Sequence, residues 1–140
     1  MKPQIFALIT AIAWGVGGYF EKKGLHQGYL SPQMGITIRT FIALIILGFA
    51  SFPQWKNLLK TETKALLYII VGGGIIAGAI GMLCFYKAIK GAPLGKVMPI
   101  AFTSPLFGVI MGILYGSETI TPKTLIGALL SVSGIIILTV

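Results

Sequence analysis

The sequence predicts an all-α integral membrane protein built as a bundle of five transmembrane helices. Three observations predict it. Hydrophobic residues fill 56% of the 140 positions before 19 glycines are counted. Charged residues fill only 10%, so a soluble domain of this size would lack the polar groups to cover its surface. The mean hydropathy of +0.94 is concentrated in five apolar runs, each near the roughly 20 residues a helix needs to cross a bilayer core.

The first run, at 4–20, is dotted with glycines and aromatics and holds no acid before Glu21-Lys22-Lys23. Lys2, an apolar core and Ala11-Ile12-Ala13 outline a cleavable signal, but four further runs favour an uncleaved first span. Gly24, Gly28 and Ser31-Pro32 separate it from the second run, at 31–52. Pro53 and the polar stretch through Lys64 lead to the third, at 65–86, with Trp55 suited to the head-group region. Gly91-Ala92-Pro93 turns the chain, and Pro93 suits the first turn of a fourth span at 93–115. Gly116-Ser117-Glu118 ends that span, and Thr121-Pro122 supplies N-cap and first helical position for a fifth, at 121–140. The connections are short, so neighbouring helices run antiparallel within one five-helix domain over 1–140.

Eleven Lys and Arg against three acids give a net charge of +8. In a soluble chain that balance would suggest nucleic acid. Here the basic residues lie between apolar runs, where they meet lipid head groups, and no nucleic-acid partner is expected. Lys2, Lys56, Lys60, Lys64 and Lys123 fall on one membrane face. Lys22, Lys23, Lys87, Lys90 and Lys96 fall on the other, with Arg39 nearer to it. The positive-inside rule orients a chain by this difference, and the difference is nearly nil. Two expectations follow. Dual insertion would give an antiparallel homodimer that imitates inverted repeats. One-way insertion under control of the first helix would call for an assembly of another kind.

Candidate working residues are few. No phosphate-binding Gly-rich loop is present, His26 is the only histidine and Cys84 the only cysteine, so neither enzymatic chemistry nor a metal or cofactor is expected. Arg39 lies about eight residues into the second span, roughly 12 Å at helical rise, a depth that calls for a partner or a snorkelling side chain. Glu21 emerges at the same face. The two read as an ion pair, with a substrate anion as the alternative partner for Arg39 and proton coupling as the alternative role for Glu21. Tyr86 reads either as an interfacial belt residue or as part of a substrate path. Gly74-x-x-x-Gly78 reads as a close helix-packing face. In the fourth span Pro99 and Pro105 each remove a backbone donor, and Thr103 and Ser104 lie between them. Freed carbonyls persist in lipid only against protein or a water-filled cavity, so this face, with Trp14 and Gly18, is the expected lining of a substrate path. Gly127 and Gly134 place small residues on one face of the fifth span, as a dimer contact or an intrachain one.

The motifs together resemble the EamA-type family of the drug/metabolite transporter superfamily. They are Trp14-Gly15, Arg39-Thr40-Phe41, Phe85 to Ile89, Thr103 to Phe107, Tyr115 to Glu118, Leu125 to Leu130, and Gly134. The usual members have ten spans in two inverted halves, so the resemblance implies that this chain is one half. It also implies a second copy or related half-size partner, and a midplane site between the halves. Thr119 stands where the family commonly has the Arg of a Glu-Arg pair. The start, Met1 to Ile5, and Lys22 are similar to the small multidrug resistance family, which carries a membrane-embedded Glu in its first helix. Trp14 stands where that acid belongs, so exchange of protons against cations on a buried carboxylate is not supported.

The expected function is that of a subunit of a dimeric secondary transporter in the cell (inner) membrane. It would move a small metabolite or drug-like molecule by alternating access, with membrane lipids around it. The alternatives are a subunit of a hetero-paired lipid-carrier flippase, which a sideways-opening groove lined by Arg39 would favour, and a non-transporting structural membrane protein.

Overall fold

A computed structural model describes residues 3–58, 60–115 and 121–139; the Glu118 and Thr119 positions lie outside them. All regular structure among the described residues is helical. Four helical stretches are long and apolar enough to cross a membrane: Pro3–Gln27, Pro32–Leu58, Thr63–Gly91 and Leu94–Tyr115. A shorter apolar helix covers Pro122–Leu138. The chain is therefore a multi-pass helical membrane protein whose elements agree with a five-helix bundle. It divides into two compact units, Met1–Gly91 and Ala92–Val140.

In the first unit, α1 (Pro3–Gln27) runs well past the last apolar residue of its run. Glu21, Lys22 and Lys23 are good helix formers, so the apolar run marks the bilayer crossing and not the helix end. The end is built from backbone bonds. Leu30 N–H donates to the Leu25 carbonyl at 3.1 Å and Tyr29 N–H to the His26 carbonyl at 3.4 Å. This nested pair is a Schellman motif, and Tyr29 occupies its left-handed position with φ 50°. Helix α2 (Pro32–Ser51) then starts with Ser31 as N-cap, its hydroxyl accepting from Met34 N–H at 3.1 Å, and Pro32 in the first turn. At the far end the Trp55 indole donates to Ser51 Oγ at 3.0 Å. A 3-10 turn (Phe52–Gln54) and a short α3 (Trp55–Leu58) complete that span.

The third span departs from α geometry. Between α4 (Thr63–Tyr68) and α5 (Met82–Gly91), the run Ile69–Gly81 winds as a π-helix of 13 residues. Wider winding sets residue i+5 over residue i. A Cβ on Gly78 would stand 2.7 Å from the Gly73 carbonyl oxygen, and one on Gly81 would stand 3.3 Å from that of Ile76. Gly78 thus has a reason to be glycine inside its own helix, besides the helix-packing face that the Gly74/Gly78 spacing suggests. The core of this unit is small and lies toward one end, where Leu25, Tyr86 and Ile89 are buried.

The second unit holds α6 (Leu94–Ala101), α7 (Ser104–Tyr115) and α8 (Pro122–Thr139). The fourth span is interrupted at Phe102 and Thr103, between its two prolines. Pro99 lacks the N–H that would reach the Gly95 carbonyl, and Pro105 the one that would reach Ala101. Local bonds close the break. Phe102 N–H reaches the Met98 carbonyl at 2.9 Å, and Leu106 N–H reaches that of Thr103 at 3.0 Å. Thr121 caps α8, its hydroxyl accepting from Thr124 N–H at 3.3 Å. Within α8 the Ser131 and Ser133 hydroxyls turn back to the carbonyls of Gly127 and Leu129, each at 2.8 Å, which hides both donors from lipid. Helix α6 packs on α8, and Val97 and Ala128, one on each, are buried.

Two stability changes follow. Tyr29→Gly removes the side chain from a left-handed site and should stabilise the first unit by about 1 kcal/mol, read as a raised unfolding midpoint in detergent. Gly78→Ala places a methyl group against a carbonyl and should cost about 1–3 kcal/mol, with the helical circular-dichroism signal retained.

Candidate functional site

On α1 the residues Trp14, Gly18, Glu21 and Leu25 follow a spacing of four, three and four, which sets them on one helix face. Gly35 and Arg39 are one turn apart on α2, and Tyr86, Ile89 and Lys90 share a face of α5. These three faces meet at one end of the first unit.

The Arg39 Nε lies 2.8 Å from Glu21 Oε1, with 38% of the arginine side chain and 21% of the glutamate side chain exposed. Neither charge is fully desolvated, and each is the other's counter-ion, the arrangement that makes ionised side chains tolerable at this depth. On its other side the Glu21 carboxylate is hydrogen-bonded by the Tyr86 hydroxyl. Tyr86 is only 2% exposed, so it is a core residue and does not belong to an interfacial belt. The reason is Gly35. A Cβ there would stand 2.6 Å from Leu25 Cδ2 and 2.9 Å from Tyr86 Cε1, so the missing side chain is the notch in which the ring sits. Below it, Lys90 Nζ donates to the Leu30 carbonyl at 2.6 Å. A cation at the C-terminal end of α1 complements the helix dipole as well as the orphan carbonyl.

Beside this cluster an open groove of about 710 Å³ runs between α2 and the third span, within the size range of small-molecule sites. Gln33, Thr37, Arg39 and Thr40 supply its polar lining from α2, Phe41, Ala43 and Leu44 continue that helix with apolar lining, and Gly73, Gly74, Gly78, Ala79 and Leu83 line it from the third span. Among the described residues no three His, Cys, Asp or Glu side chains come together, so the site's chemistry is that of ion pairing, hydrogen bonding and apolar contact.

The structure therefore brings Glu21, Arg39 and Tyr86 together, while Arg39, Gly74 and Gly78 share the groove. Gly18 is buried on α1 and Trp14 is half exposed one turn before it. Pro99, Thr103, Ser104 and Pro105 gather at the break in the second unit. The Thr103 hydroxyl is spent there on the Ile100 carbonyl at 2.8 Å, while Ser104 is exposed. A Cβ on Gly127 or Gly134 would meet nothing within 4 Å. Sequence reasoning missed Gly35 and Lys90. The signal for Gly35 was its place one turn before Arg39; nothing in the sequence points from Lys90 to a carbonyl sixty residues away.

The model of the EamA-like transporter family matches residues 1–140. The chain belongs to that family. An uncharacterised protein of Methanocaldococcus jannaschii is 30% identical, the match covering 97% of this chain and 95% of that one. A transporter of Clostridium kluyveri, itself uncharacterised, is 25% identical over 94% of this chain and 42% of its own length. Protein LicB of Haemophilus influenzae is 28% identical over 95% of this chain and 45% of its own. The chain thus spans nearly all of the first relative and less than half of the other two. No solved structure matches it. As an EamA-like protein it is a multi-pass membrane protein of a transporter family, and the cluster and groove above are its candidate site.

The notch makes two testable demands. Gly35→Ala should cost about 1–3 kcal/mol of stability, and adding Leu25→Ala, which removes the atom nearest the new methyl, should restore part of it. Glu21→Gln should lower the unfolding midpoint more than Tyr86→Phe, because it strands a partly buried guanidinium. The double variant should lose less than the sum of the two, since both act on one carboxylate.

Proposed function

We propose that the protein is a subunit of a dimeric secondary transporter that moves a small metabolite or drug-like molecule by alternating access. The observation that carries this reading is length within the family. The chain matches one relative nearly end to end and covers less than half of two longer ones, so two such chains supply the helices of one long member. The even distribution of lysines over the two membrane faces supports an antiparallel pair. The unfilled positions at Gly127 and Gly134 leave room for a close helix contact on α8. In this reading Trp14, Gly18 and Arg39 are the lining residues that the first unit contributes, and Pro99, Thr103, Ser104 and Pro105 those that the second contributes. Tyr86 acts behind them, through Glu21.

A second reading has one observation in its favour. An open groove lined by Arg39 suits a hetero-paired flippase whose cargo enters from the bilayer. C-terminal topology separates the two. Reporters active only in the cytoplasm or only outside, each fused after Val140, should both be active at comparable levels if the pair is an antiparallel homodimer. Activity of one alone overturns the self-paired transporter and points to an oppositely oriented partner or a parallel assembly. In proteoliposomes screened with labelled small metabolites, Trp14→Ala and Ser104→Ala should reduce uptake at least tenfold with the dimer still recovered. Unchanged uptake would remove both residues from the path.

A further inference from the structure

We infer that the groove between α2 and the π-helical segment binds an anionic amphiphile with one flexible chain, its head group at Arg39 and its chain along Leu44, Gly73 and Gly74. This rests on the transporter reading for why the bound molecule is then moved, and it names a substrate class for the first unit.

The groove has a direction. Its polar side chains all fall on the early part of α2, from Gln33 to Thr40, and every later lining residue is apolar. From Gln33 to Leu44 the helix rises about 16 Å, so a polar end and a long apolar end lie in one continuous trough. The facing wall contributes Gly73, Gly74, Gly78, Ala79 and Leu83, without a polar side chain. A Cβ on Gly73 would meet nothing within 4 Å, and one on Gly74 would come no closer than 4.0 Å to the Ile69 carbonyl. At both glycines the trough is open: there is no side chain, and no neighbour crowds the place where one would start.

The polar end favours an anion. Arg39 lines the groove and Glu21 does not. Glu21 engages the guanidinium through Nε, and the planar fork has further N–H donors for a second, oxygen-bearing partner. The other basic residues assigned to this membrane face, Lys22, Lys23, Lys87, Lys90 and Lys96, add to the positive potential. A free polar anion would satisfy Arg39 and leave the trough beyond Thr40 without a complement. A neutral chain would fill the trough and ignore the arginine. An amphiphile with an anionic head meets both demands.

The test uses the whole protein in phosphatidylcholine nanodiscs and, as probe, dodecyl phosphate carrying a diazirine at its chain end. Light should attach the probe saturably near Leu44, Gly73 or Gly74. Unlabelled dodecyl phosphate should compete, dodecanol should need at least tenfold more, and inorganic phosphate should not compete. Arg39→Gln should reduce labelling at least tenfold, with Arg39→Lys retaining part of it. Gly73→Leu, which fills the trough without touching the ion pair, should also reduce labelling at least tenfold while the helical circular-dichroism signal is unchanged. Labelling that is unsaturable, or indifferent to Arg39→Gln and Gly73→Leu, overturns the inference. So does equal competition by dodecanol, which makes the trough a neutral-lipid groove, or by inorganic phosphate, which makes it a free-anion site. A Gly73→Cys variant that crosslinks to a second copy, undisturbed by dodecyl phosphate, overturns it as well, because a helix then occupies the trough. Failed labelling with both C-terminal reporters active sinks this inference alone; specific labelling with one reporter active sinks the homodimeric transporter alone.

Discussion

Most of what is ordered about the first unit depends on one carboxylate being held in place. Glu21 lies where an apolar helix leaves the bilayer, ion-paired with Arg39 on one side and hydrogen-bonded by Tyr86 on the other. Charges at this depth have two stable outcomes: they reach water or they find each other. Because the pair joins α1 to α2, and the tyrosine joins both to α5, the contact ties together the three spans of the unit. The apolar contacts cannot do this alone. Lipid tails are as apolar as leucine, so helices in a membrane gain little from merely burying such side chains against one another. They gain from close fit and from polar contacts. The notch at Gly35 supplies the first and the Glu21 cluster the second.

The pair also bears on an absence noted in the sequence. No acid sits mid-span, so charge in this protein is confined to the ends of the helices and to Arg39. Of the hydroxyls within the spans, those of Thr10, Thr103, Ser131 and Ser133 are committed to carbonyls of their own helices, and the interrupted fourth span adds backbone polarity. An interior of this kind offers shape and hydrogen bonding, and charge only near the surface. A groove whose single formal charge is at one end fits that division.

Much of this was legible beforehand, for identifiable reasons. Apolar runs fix the number and order of spans because the bilayer sets a minimum length. Thr121-Pro122 announced a helix start through the chemistry of capping, Ser31-Pro32 announced a break between spans, and the two prolines of the fourth span announced its interruption. Glu21 and Arg39 were legible as partners because each would be costly alone. Other features were not. Helix ends that continue in good helix-forming charged residues, as at Lys22 and Lys23, leave no mark in an apolar pattern. Tyr86 gave two readings, belt or path, and its burial removes the belt, because the deciding residue is a glycine on another helix. The π winding was invisible as well: a run such as Ile69 to Gly81 is equally apolar at any hydrogen-bond register, and its glycines suggest packing against neighbours before they suggest crowding by their own carbonyls.

That winding has a further consequence. The third span is a helix of 29 residues, Thr63–Gly91, of which 13 wind as a π-helix. Each residue in the wider helix advances the chain less along its axis, so these 13 residues make a shorter rod than they would in α geometry. Rewinding part of it to α geometry lengthens the rod and turns Gly73, Gly74 and Gly78 relative to α2 with no covalent bond changed and every backbone donor still paired within the helix. Most of the groove wall therefore lies on a stretch whose length is set by its hydrogen-bond register.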